Sequence, residues 1–191
     1  MWEDQGLRRT DIAYLCQGAQ EDDHHFLTRV QATVEQPRCR VAGIVVGTVD
    51  QMLHGIVTGT DGLHASVRHW VQRGALRRLL ELLIAHSFEV VLTADHGNVE
   101  GVGIGKPNVG VTADERGERV HVFRDAGLRS QVAALYPQTI AWPTIGLPDH
   151  YLALIAPPCG AFIGLEKRTV AHGGICLEEV IVPFVTITRA T

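Results

Sequence analysis

Val90-Val91-Leu92-Thr93-Ala94-Asp95-His96-Gly97 is a short apolar run that stops on a carboxylate and an imidazole, then glycine. A β-branched run of this length, bounded by turn residues, predicts a buried strand over Glu89 to Thr93. Its carboxyl end is where open α/β sheets gather their ligands. Neighbouring side chains of a regular strand point to opposite faces, so Asp95 and His96 converge only in a turn, and Gly97 relaxes the backbone there. Two other places repeat the arrangement. The apolar run Val41 to Val49 leads into Asp50 and His54, and His172-Gly173-Gly174 precedes the run Val180 to Ile187. If a helical turn begins near Asp50, residues four apart share one face.

One carboxylate with two imidazoles is a common ligand set for a catalytic zinc that keeps an open position. A second metal about 4 Å away lets the pair clamp the attacking and leaving oxygens of an in-line phosphoryl displacement. A cap or a turn explains any one of these pairs alone, and His172 most readily. All three in this order at strand ends are much harder to obtain by chance.

The rest of the chain builds outward from these ends. Residues 1–39 read as a polar segment, partly helical, with a helix opening at Asp22-Asp23 and closed by Pro37. Residues 40–191 read as the main domain. Residues 62–87 carry apolar positions at helical period and split into two helices at Gly74. A strand, about 40 residues of helix and another strand form a crossover unit of the kind that builds parallel sheets. The expected fold is therefore α/β, a mostly parallel sheet with flanking helices. Residues 98–123 are glycine-rich and predict a loop or hairpin excursion. Ala126 to Leu135 predicts a short helix. Leu152 to Ala156 and Ala161 to Leu165 predict strands joined through Pro157-Pro158-Cys159-Gly160, and Leu177 to Glu179 one helical turn.

Composition bounds the function. With 191 residues, 46% hydrophobic and 20% charged, the chain can bury one sizeable core. A net charge of −4 gives no general attraction to nucleic acid or anionic lipid. Arg116 and Arg119 flank the glycine-rich excursion and are candidates to hold a phosphate, since the guanidinium fork matches its oxygens. A solvated hairpin explains them as well. Gly101-Val102-Gly103-Ile104-Gly105-Lys106 lacks the spacing and the following Ser or Thr of a phosphate-cradling loop. Glu178 and Glu179 are candidates to orient His172 from behind, or else helix-start charges. Cys16, Cys39, Cys159 and Cys176 are scattered and suggest reduced thiols in a cytoplasmic protein. No run approaches the ~18 apolar residues of a membrane span.

Taken together, Asp50-Gln51-Met52-Leu53-His54-Gly55, Leu92-Thr93-Ala94-Asp95-His96-Gly97-Asn98 and His172-Gly173-Gly174-Ile175-Cys176-Leu177-Glu178-Glu179-Val180-Ile181-Val182-Pro183 resemble the C-terminal part of a PglZ domain, in the alkaline phosphatase superfamily. The resemblance spans roughly residues 40 to 187. It implies that Asp50, His54 and His172 bind one divalent metal, zinc first and manganese second, and that Asp95 and His96 bind another. It implies a phosphatase or phosphodiesterase and a role in bacterial phage defence of the BREX type. It also implies a further Asp and a Ser or Thr nucleophile upstream of Asp50, which the sequence does not supply. Thr10 is the best placed upstream threonine, and a helix cap explains it better. The expectation is thus an incomplete core with a two-metal site only partly present, catalytic residue unknown. Its partners would be the upstream half of the same protein or other defence subunits. Nucleic acid stays open as a partner. The competing expectation is a non-catalytic interaction or scaffolding module that retains a partial metal site.

Overall fold

The computed structural model describes residues 3–55, 59–107 and 118–189. In chain order the elements are β1 (Ile12–Cys16), α1 (Asp23–Val34), β2 (Val41–Val45), α2 (Thr48–Gly55), α3 (Gly59–Gln72), α4 (Ala75–Ala85), β3 (Val90–Thr93), β4 (Val99–Gly103), β5 (Val120–Phe123), α5 (Ala126–Leu135), β6 (Ile140–Ala141), β7 (Leu152–Ile155), β8 (Gly160–Ala161), β9 (Arg168–Ala171), α6 (Leu177–Val180) and β10 (Phe184–Ile187). They divide into two units, Met1–Leu92 with Val185–Thr191, and Thr93–Phe184.

In the first unit β1 and β2 run parallel, with Leu15 opposite Ile44 and Tyr14 opposite Gly43. α1 exists because Asp22 caps it, accepting the His25 N–H, and because Phe26, Val30 and Val34 recur every four residues and form one buried stripe. That stripe meets Leu79 and Leu83 of α4 and Leu15 of β1 in a single core. Residues 1–39, read from the sequence as a polar and partly helical segment, supply β1 and α1 to this core. Gly74 ends the α3 region in the left-handed conformation, φ 79°, which glycine adopts at no steric cost. β3 was expected to be buried. It pairs with β10, and Val91, Leu92, Phe184 and Val185 are exposed.

The second unit is built from short strands. β4 lies between β8, parallel to it, and β9, antiparallel. β7 lies between β5 and β6, antiparallel to both. Phe123, Val132, Leu154, Ala156 and Phe162 form its core, and Val132 is the buried residue of α5. Gly103 passes so close to Gly164 that a Cβ there would stand 1.9 Å from the Gly164 carbonyl oxygen.

The α/β class holds, but a mostly parallel sheet does not describe these strands. Among the described residues they form four sheets of two or three strands, of which one is wholly antiparallel and one mixed. The reason lies in the connections. Parallel neighbours need crossovers of a dozen residues or more. Past Gly97 the antiparallel neighbours β6 and β7 are joined through residues 142–151, a shorter connection than a crossover needs.

Candidate metal centre

The second unit brings two of the sequence-predicted ligand loops together. Asp95-His96-Gly97 leaves the end of β3, and His172-Gly173-Gly174 leaves the end of β9. The rings of His96 and His172 stack, with centroids 3.7 Å apart and planes 11° from parallel. His96 Nδ1 lies 3.0 Å from the Gly97 carbonyl oxygen. A carbonyl can only accept, so Nδ1 carries the proton and Nε2 of the neutral ring keeps a lone pair. That Nε2 stands 3.8 Å from Asp95 Oδ1. The Asp95 carboxylate faces solvent and also accepts the His96 N–H. Two residues on, the buried Oδ1 of Asn98 has no hydrogen-bond partner among the described residues, a state that native proteins resolve with water or an ion.

These groups fit metal ligation in a particular way. Two donors that each lie about 2.1 Å from one ion at a tetrahedral angle are about 3.4 Å apart. Asp95 and His96, at 3.8 Å, need to close by only a few tenths of an ångström. The two imidazoles do not fit one shared ion. Their lone pairs lie in the ring planes, which are nearly parallel and separated by the stack, so an ion about 2.1 Å from one nitrogen falls well outside the other plane. Among the described residues no three His, Cys, Asp or Glu side chains form a group that could hold a metal.

Both loops are held by their backbones. The Gly97 N–H donates to the Glu179 carbonyl at 2.8 Å. The approach is close enough that a Cβ on Gly97 would lie 1.9 Å from the Glu178 carbonyl oxygen. A Cβ on Gly174 would lie 2.5 Å from Glu179 Oε2 and 2.7 Å from an Arg119 nitrogen. Gly97→Ala should therefore push the Asp95-His96 loop away from α6. Overpacking of this kind costs about 1–3 kcal/mol. The expected result is a loss of that size in urea unfolding, together with weaker metal uptake; unchanged values of both would show that the loop yields freely.

Arg119 is corrected by the structure. It is fully buried, not poised for a phosphate. All five of its N–H groups are taken: Nε and Nη2 by the two Glu179 oxygens at 2.9 and 3.0 Å, Nη1 by the Pro157 and Gly160 carbonyls, and Nη2 also by Cys176 Sγ at 3.3 Å. The Glu179 carboxylate accepts the Gly174 and Cys176 N–H groups. Arg116 lies outside the described residues. All four cysteines are free thiols. Among the described residues no helix is long and apolar enough to cross a membrane.

Asp50 and His54 lie in the first unit, both on α2, with Asp50 exposed in its first turn. Sequence reasoning missed what fixes this helix. Thr48, its first residue, donates its hydroxyl to Gln17 Oε1 and Asp23 Oδ1, and Asp23 Oδ2 accepts the Trp70 indole N–H at 3.0 Å. The buried Gln17 closes the network by donating to Asp23 Oδ1. Thr10, the upstream threonine, places its hydroxyl 3.4 Å from Asp11 Oδ1 in a single 3-10 turn.

Comparison with known proteins settles the family. The BREX system PglZ alkaline phosphatase-like domain matches residues 19–187. The chain belongs to the PglZ family. Among solved structures, this PglZ domain is similar to murine ectonucleotide pyrophosphatase/phosphodiesterase 5, with a TM-score of 0.66 and 11% identity over 94% of the chain. At that identity the likeness is one of fold. The chain spans 61% of that protein. No curated protein matches the sequence.

Proposed function

We propose that this PglZ domain is part of a metal-dependent phosphoric ester hydrolase, acting on a phosphodiester or phosphomonoester in bacterial phage defence in the cytoplasm. The observation that supports it most is the meeting of the Asp95-His96 and His172 loops, with the two imidazoles stacked. Asp95 and His96 would hold one ion. His172 would hold the other, and the family resemblance assigns Asp50 and His54 to metal binding as well. Zinc is the first choice for nitrogen and carboxylate ligands, and manganese the second. When bound, the pair would stabilise the attacking and leaving oxygens of an in-line displacement at phosphorus.

The chain's own residues do three things toward that end. Asp95 presents an exposed carboxylate beside the His96 ring. The Gly97 carbonyl fixes the His96 tautomer, so that Nε2 faces the site as a lone pair. Gly97 and Gly174 let the main chain close around Glu179. No residue is assigned as nucleophile. Other subunits of the defence system are the proposed partners, with nucleic acid as a candidate substrate.

That gap supports a second proposal, a non-catalytic scaffolding module that keeps a partial metal site. One experiment separates them. The 191-residue chain is titrated with zinc and manganese, then given a bis-aryl phosphodiester. Metal uptake is expected, with turnover no greater than that of the free metal, because two-metal phosphoryl transfer needs a nucleophile held in line and a misplacement of about 1 Å costs about a hundredfold. Adding the other subunits of the defence system in trans should then produce turnover that Asp95→Ala removes. Uptake with no turnover in either setting would favour the scaffold, and no uptake at all would remove the metal centre from both.

A further inference from the structure

Glu179 holds the backbone beside both imidazoles. Its carboxylate accepts the Gly174 N–H at 2.8 Å and the Cys176 N–H at 3.1 Å, and so orders the loop that follows His172. Its main-chain carbonyl accepts the N–H of Gly97, the residue after His96. One residue therefore ties both histidine-bearing loops.

Arg119 fixes Glu179 in turn. Its Nε meets Oε1 and its Nη2 meets Oε2, a bidentate fork that admits one orientation of the carboxylate. Each carboxylate oxygen then carries two donors: Oε1 has Arg119 Nε and Gly174 N, and Oε2 has Arg119 Nη2 and Cys176 N. The other ends of the guanidinium hold the Pro157 and Gly160 carbonyls. Both side chains are at most 1% exposed. A charge pair at this depth is poor evidence for stability, since apolar residues of the same volume do about as well. What apolar residues cannot do is accept four N–H groups in a fixed geometry beside two glycines that leave no room for a Cβ.

Resting on the metal-centre reading above, we infer that the Arg119–Glu179 pair is a positioning device: it sets the spacing of His96 and His172, and through it the spacing of the two ions. A glutamine at 179 has one acceptor oxygen. Its amide would turn donors toward an Arg119 nitrogen and a backbone N–H, so one of the tied loops must let go.

The test compares the wild-type chain with Glu179→Gln, isotopically labelled and free of metal. Two ring contacts are read by nuclear Overhauser effects. The first is His96–His172. The second is His121–Phe162, an edge contact of 4.4 Å in the same unit that serves as the control for folding. Manganese is then titrated in, and the affinity for the second equivalent is followed by electron paramagnetic resonance. The expected result is loss of the His96–His172 contact with the His121–Phe162 contact kept, and at least a tenfold rise in the dissociation constant of the second manganese. A purely structural role would weaken both ring contacts together or neither. Retention of the His96–His172 contact, with manganese affinity within twofold of wild type, overturns the inference. Should Glu179→Gln lose the control contact, Arg119→Lys takes its place, because it keeps the charge but offers three donors for five, and the same two outcomes decide. A wild-type chain that binds no manganese would refute the two-ion centre, while the ring contacts would still decide whether Glu179 sets the spacing.

Discussion

Arg119→Met is expected to destabilise residues 93–184 by about 3–5 kcal/mol, the cost of leaving one member of a buried ion pair alone. The mechanism is specific to this site. The Glu179 carboxylate keeps two backbone donors but loses the guanidinium, and the Pro157 and Gly160 carbonyls lose theirs. Replacing both partners by methionine should recover part of the loss, because no buried charge then remains, and the two substitutions should be clearly non-additive. Hydrogen-exchange protection of peptides from residues 93–184 measures this without averaging over the other unit. A change below about 1 kcal/mol in the single variant would mean that water reaches the site and that Glu179 is less buried in solution.

The same pair sets an acid dependence. Burial pushes the Glu179 carboxyl up, but the hydrogen bonds from Arg119 and from the Gly174 and Cys176 N–H groups outweigh it and hold the group below its ordinary range. A depressed carboxyl contributes stability that is present above its unfolded value, about 4.3, and lost as pH falls through the folded value. Wild-type protection should thus fall below about pH 4. Without Arg119 the buried carboxyl moves up instead, and the neutral form becomes the favoured one in the fold. The gap between wild type and Arg119→Met should therefore narrow as pH falls from 7 toward 4. A gap that stays constant over that range would mean that Glu179 is not the group responsible.

Particular residues show what the sequence discloses and what it withholds. α5 is found at the expected bounds, Ala126–Leu135, because its apolar periodicity and its Asp125 cap both act locally. The α3 and α4 pair is broken at Gly74 for an equally local reason. The Asp95-His96-Gly97 and His172-Gly173-Gly174 loops were legible as turns after strands because glycine adjoins them in the chain, and the structure brings their imidazoles together. β1 was not legible: of Ile12–Cys16 only Leu15 is buried, and its flanks are polar. β9, Arg168–Ala171, was hidden in the same way, since its ladder to β4 is not written in its own residues. β2 ends at Val45, short of Val49, because α2 begins at Thr48, held by Gln17 and Asp23. Arg119 misled for the reason that makes it interesting. An arginine in a glycine-rich stretch reads as exposed, and its partner Glu179 lies 60 positions away. Long-range pairing of polar groups leaves no periodic trace.

The largest expected effect on the proposed centre is a matter of counting ions. If His96 and His172 shared one ion, Ala at either position would empty the site. The stack excludes that, because each lone pair lies in its own plane and the planes are 11° from parallel. His96→Ala should therefore release the ion held with Asp95 and leave the other in place, and His172→Ala should do the reverse. Loss of a direct ligand should weaken the ion concerned by more than the 10–100-fold typical of losing a group that merely supports a ligand. Asp95→Ala should follow His96→Ala and not His172→Ala, since its Oδ1 lies 3.8 Å from His96 Nε2. The measurement is zinc stoichiometry by elemental analysis after equilibrium dialysis, with manganese in parallel. Wild type should retain more zinc than either variant, and the two variants should each keep a fraction. If each single substitution removes all the zinc, the two rings serve one ion after a rearrangement of the loops, and a two-ion phosphoryl-transfer centre is the wrong description of this site.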